Sequence, residues 1–150
     1  MKKAFIVVGH ACWGKSKTFY YLTNKSSHKL FISIGDKMFT VKRMSNDDIG
    51  NKLLDYIKEM TNESREYLLF ALCPDFKNEA KCTEEILENL RNNEYKQYFF
   101  VLYKQYGNEA FIKKEEIDKL SRFGKVCNYK ESELATERAK ALEQYIKDNV

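Results

Sequence analysis

The apolar run AFIVV, Ala4 to Val8, stops at Gly9, and the chain then spells HACWGKS before entering the stretch KTFYYLTN. A continuous apolar, β-branched run suits a strand buried on both faces, and such strands occur in sheets that carry helices on both sides. The glycines at 9 and 14 mark a turn, and a helix is expected to begin near Gly14 or Lys15. Strand, glycine-bounded turn and helix in direct succession commit the rest of the chain to layered α/β packing.

The remaining segments repeat that alternation. HKLFISI and MFTVKR flank Gly35-Asp36, a pair suited to positive φ, and predict a hairpin of which one arm has loop as its alternative. Ser45 stands three residues before Asp48, a capping-box spacing, and Ile49, Leu53, Ile57 and Met60 follow at helical intervals. The most apolar run, YLLFALC at 67–73, reads as a central strand stopped by Pro74. Thr83 caps a helix with Ile86, Leu87 and Leu90 on one face, and YFFVLY at 98–103 is another buried strand. Ile117 and Leu120 mark a short helix closed by Gly124, KVCNY is a fifth strand, and a last helix runs from about Glu131 with Leu134, Arg138, Leu142 and Tyr145 on one stripe. The expected fold is a three-layer α/β sandwich with a mostly parallel five-stranded sheet, one domain over residues 1–150. Ligands of such sheets bind at the carboxyl ends of the strands, where Gly9 to Ser16 falls.

GHACWGKS fits G-x-x-x-x-G-K-[ST] and resembles the Walker A loop of the P-loop NTPase superfamily. In such a loop the glycines let backbone N–H groups turn inward, the lysine holds the β and γ phosphates, the serine coordinates Mg²⁺, and the helix N-terminus adds its positive end. The resemblance therefore implies a nucleoside triphosphate, ATP in first place, with Mg²⁺. Gly9, His10, Ala11, Cys12, Trp13, Gly14, Lys15, Ser16 and Lys17 form the binding loop, Lys15 acts at the phosphates and Ser16 at the metal. Asp75, just past the apolar strand, resembles a Walker B aspartate beside that metal, with a plain turn residue as the alternative. In small-molecule kinases of this kind an Asp after the second strand positions the acceptor hydroxyl, and Asp36 is the candidate. Its other reading is ordinary Gly-Asp turn chemistry. For Ser45 to Asp48 the helix cap is favoured. The side chains of His10 and Cys12 are expected to point away from the ligand, with no second Cys or His nearby in sequence.

Subtype signals narrow the resemblance. D-x-x-G after the third strand and a later N-K-x-D, which guanine-specific members carry, are replaced there by DFKN and YKQYGN. A nucleoside monophosphate kinase would carry a lid of closely spaced arginines; here Arg122 stands alone, with Lys113 and Lys114 as point charges that lack its bidentate fork. What remains is phosphoryl transfer to an unidentified small acceptor, NTP hydrolysis, or a module that binds nucleotide without turnover.

Composition excludes other classes. The 26 basic and 22 acidic residues are interspersed, and the five arginines are scattered rather than clustered, so a nucleic-acid reader is not expected. Cys12, Cys73, Cys82 and Cys127 form no C-x-x-C pair, which points away from zinc and toward a reduced, cytoplasmic setting. The apolar core Ala4–Val8 is too short for an export signal, and no window approaches a membrane span.

Overall fold

The computed structural model describes residues 1–26, 29–107 and 109–150. Strand β1, Lys3–Val8, lies at the centre of the sheet, because its alternate side chains are apolar on both faces and must be covered from both sides. It pairs in parallel with β4, Tyr67–Leu72, on one side and with β5, Lys96–Leu102, on the other. β3, Lys37–Lys42, extends the sheet beyond β4, and β8, Gly124–Tyr129, extends it beyond β5, both in parallel register. β2, Phe31–Ile34, closes the far edge antiparallel to β3. Both arms of the hairpin are thus strands, and the main sheet has six strands where five were expected, five of them parallel.

Two packed layers cover it. On one face Ala4, Ile6 and Val8 meet Leu53, Ile57, Ile86, Leu87, Leu90 and Leu120. Those residues come from α3, Lys52–Asn62, α4, Thr83–Asn92, and α5, Lys114–Ser121. On the other face Phe5 and Val7 meet Phe19 and Leu22 of α1, Lys15–Leu22, and Leu142, Tyr145 and Ile146 of α6, Ala135–Asn149. Among the described residues no helix is long and apolar enough to cross a membrane.

Several boundaries differ from the sequence expectation for identifiable reasons. The helix expected after Ser45 is two, α2 over Asn46–Ile49 and α3, divided at Gly50. Cys82, not Thr83, is the N-cap of α4, because the Thr83 hydroxyl is committed to the carbonyl of Cys73 at 2.9 Å. The last helix starts at Ala135, and Leu134 on its expected stripe is exposed. Gly124 does not close α5 but opens β8. A Cβ there would lie 2.0 Å from the backbone oxygen of Gln97, so glycine is what lets β8 approach β5. A two-stranded ribbon, β6 at Lys104–Gln105 with β7 at Ala110–Phe111, was not foreseen.

Candidate functional site

The loop between β1 and α1 is held at its start by Gly9 N–H donating to the Leu72 carbonyl at 3.1 Å. It turns as Trp13 N–H donates to the His10 carbonyl at 3.2 Å, with Cys12 at φ 66° and Gly14 at φ 98°. Gly14 is the N-cap of α1 and no side chain caps the helix, so its opening amides remain available to an anion, at the end where the helix dipole favours one.

Lys15 is buried, and its ammonium folds back over the loop. Nζ donates to the carbonyls of Gly9 and of His10, the latter at 2.9 Å, and to Asp47 Oδ2 at 3.2 Å. The other oxygen of Asp47, Oδ1, takes a hydrogen bond from Lys81 Nζ. One carboxylate therefore joins the loop lysine to a second lysine from the 3-10 turn Glu79–Lys81 that follows β4. Burial opposes ionisation of Asp47, but the bonds from Lys81 and Cys73 and the charge of Lys15 outweigh it and hold the carboxyl below its ordinary value. Burial likewise works against the Lys81 ammonium, and Asp47 more than restores it.

Local chemistry aims Asp47 at the loop. Ser45 Oγ accepts from Asp47 N–H at 3.1 Å while Asp48 Oδ2 accepts from Ser45 N–H at 3.0 Å, so the expected capping box is formed and uses the Asp48 carboxylate. Asn46 then pins α2 to the carboxyl end of β4, accepting from Cys73 N–H at 2.7 Å and donating to Cys73 O at 3.2 Å and Thr83 Oγ1 at 3.0 Å. Between two residues so fixed, the Asp47 side chain has one place to go.

Cys12, expected to point away from the ligand, is among the residues lining the cavity over the loop, whereas His10 is not among them. His10 Nε2 pairs with Glu116 Oε1 at 2.9 Å, and its Nδ1 lies 3.6 Å from Cys73 Sγ. The sequence offers no second Cys or His beside the His10–Cys12 pair; the fold supplies one just past the end of β4, 63 positions from His10. Burial, with Asp47 beside it, pushes the Cys73 thiol up to about 12, so it stays protonated and acts as a neutral partner. Among the described residues no group of three or more His, Cys, Asp or Glu side chains could hold a metal ion by itself.

A cavity of about 980 Å³ opens over the loop. Ala11 to Lys17 form its floor, Ser45, Asp47 and Asp48 one wall, and Gln105, Tyr106 and Glu133–Thr136 with Arg138 the other. The volume lies at the upper end of the range for small-molecule sites. Asp75 is not part of this lining; its backbone carbonyl accepts from Thr83 Oγ1 at 3.3 Å, and its charge acts on Lys81. Asp36 sits in the β2–β3 turn at the opposite end of the sheet. Register pairs Thr40 with Leu68 and Leu68 with Ala4, so Asp36 is four residues before the level from which Gly9 is five residues beyond. Nine strand steps separate them, about 30 Å. Arg122 and the Lys113–Lys114 pair also lie outside the lining. Among the cavity residues that sequence reasoning did not assign to a ligand are Asp47, read within a capping motif, and Arg138, read within an amphipathic stripe.

No protein-family model and no curated protein matches the chain. Among solved structures it is similar to the FeoB G-domain from Methanococcus jannaschii, with a TM-score of 0.55 and 14% sequence identity, over 99% of this chain and 97% of that one. The fold shared with that G-domain is an α/β sandwich on a mostly parallel sheet.

Proposed function

We propose that the chain is one nucleotide-binding domain that takes a nucleoside triphosphate with Mg²⁺ on the loop Gly9–Ser16, and that it transfers or hydrolyses the terminal phosphoryl group. The observation that carries this reading is the loop itself: a turn with a left-handed glycine delivers Lys15 and the uncapped start of α1 into a cavity of nucleotide size. Lys15, Lys17 and the loop amides bind the phosphates. Lys15 must first leave Asp47, and Lys81 keeps that carboxylate in place when it does. The Ser16 hydroxyl and the Asp47 carboxylate line one cavity and are hard oxygen donors suited to Mg²⁺, which would offset charge on the phosphates. Asp75, assigned to the metal from sequence, contributes here through Lys81. Asp47 follows the second parallel strand and reaches the loop, and so takes over the acceptor-positioning role for which Asp36 was the candidate.

ATP is the first nucleotide to test, since the guanine-reading N-K-x-D is absent, and GTP the second, given the likeness to a G-domain fold. The four cysteines are free thiols, which suits a reduced cytoplasm. Titration of ATP and GTP with Mg²⁺ into the wild type, followed by Trp13 fluorescence, is expected to give a saturable signal. Lys15→Ala should weaken binding at least about a hundredfold, from loss of a buried charge-assisted contact. Unchanged affinity in that variant would overturn the reading. A second reading, a nucleotide-binding switch without efficient turnover, is favoured by the absence of a basic lid among the described cavity residues. Tight binding with no product release over hours would select it.

A further inference from the structure

The nucleotide reading leaves one cation in the cavity unexplained. Arg138, from the first turn of α6, is only 7% exposed, and a guanidinium so buried is ordinarily matched by a carboxylate. Among the described residues it forms no salt bridge. Nε donates to Thr18 Oγ1 at 3.1 Å, Nη1 donates to the Glu133 carbonyl, and no acceptor of Nη2 is found among the described residues. Burial works against its charge, and the influences that favour it come from the phenols of Tyr129 and Tyr106 rather than from a carboxylate.

Its place is specific. Nη2 lies 2.6 Å from where a Cβ on Gly14 would be, against the glycine that turns the phosphate loop, and the side chain lines the cavity. Thr18, its other neighbour, is one turn into α1 and is itself tied to Gly14 O at 2.8 Å. Asp47 and Lys15 line the cavity with Ser45 and Asp48, and Arg138 lines it with Tyr106 and Glu133–Thr136. Because Arg138 stands over Gly14 and Thr18 on the α1 side of the loop, a triphosphate with its terminal phosphate at Lys15 would turn its first phosphate, the one joined to the sugar, toward Arg138.

We propose that Arg138 is a nucleotide-binding residue whose unmatched guanidinium takes the α-phosphate, an inference that rests on the loop being a nucleotide site. The bound nucleotide is then the missing counter-ion of an arginine supplied by a helix far from the loop in sequence.

The test measures AMP, ADP and ATP binding with Mg²⁺, or the guanosine series if GTP binds more tightly, in wild type, Arg138→Met, Arg138→Lys and Lys15→Ala, together with melting of each protein without nucleotide. Arg138→Met is expected to weaken all three nucleotides by the same factor, about ten- to a hundredfold, as loss of a charged hydrogen-bonding partner does. Arg138→Lys should give a smaller, equally uniform loss, because the ammonium keeps the charge without the fork. Lys15→Ala should spare AMP and weaken ATP. Because an unmatched buried charge is removed, Arg138→Met without nucleotide should melt at or above the wild-type temperature. Loss confined to ATP, or wild-type affinity in both Arg138 variants, overturns the inference while leaving the loop reading intact. So does a sharp drop in melting temperature in Arg138→Met with normal binding by Arg138→Lys, which would make the arginine a strut. A wild type that binds none of the nucleotides overturns the loop reading and this inference with it.

Discussion

Asp47→Ala is expected to destabilise the protein by about 3 kcal/mol, as measured by chemical denaturation, because it strands two ammonium groups. Lys15 and Asp47 have side chains 8% and 9% exposed and Lys81 24%, so water can rehydrate the second lysine better than the first. Triphosphate should repair much of this loss, since phosphates provide Lys15 with the anion that the variant lacks, and its midpoint should rise more than that of the wild type at equal free triphosphate concentration. The acid limb supplies a separate check. The folded carboxyl titrates below its ordinary value of 3.8, so its contribution is complete above that value and is lost as pH falls through the lowered one. The stability gap between wild type and Asp47→Asn should therefore narrow below about pH 4. A variant as stable as the wild type at neutral pH would show that the two lysines do not depend on this carboxylate.

The loop and its flanking elements are legible because everything that makes them is local. An apolar run, two glycines and an amphipathic start lie within one short stretch, and the structure keeps that order as β1, turn and α1. Asp47 is illegible for the opposite reason. Ser45 and Asp48 satisfy the capping chemistry of their segment completely, so sequence gives Asp47 nothing to do. Only the Asn46 bonds to Cys73, 27 residues away, carry it to Lys15. Asp36 fails through topology: because β2 runs antiparallel to β3, the turn joining them falls at the amino end of the parallel strands, away from every loop that can bind ligand. Arg138 was assigned to a helical stripe with Leu142 and Tyr145, correctly as to burial, since a long stem packs like an apolar residue while its head does other work. Residues of β6 and β7, two in each strand, are too few to leave a periodic signal.

Gly14→Ala is expected to lose about 3 kcal/mol of stability and, with it, most nucleotide affinity, for two separable reasons. At φ 98° and ψ 15° the residue is left-handed, where a Cβ costs roughly 1–2 kcal/mol. That Cβ would also stand 2.6 Å from Arg138 Nη2 and 3.2 Å from its Cζ. The guanidinium cannot simply swing aside, because Thr18 and the Glu133 carbonyl hold it from two other directions, so forced repacking adds about 1–3 kcal/mol. A double-mutant cycle separates the terms. Combining Gly14→Ala with Arg138→Ala removes the collision but leaves the strained backbone, so the double variant should be more stable than the sum of the single losses allows, with a coupling of about 1 kcal/mol or more. Strict additivity would mean that the arginine does not press on the glycine. The left-handed cost alone would then account for the loss, and Arg138 would have to meet its ligand from a position other than the one it holds over the loop.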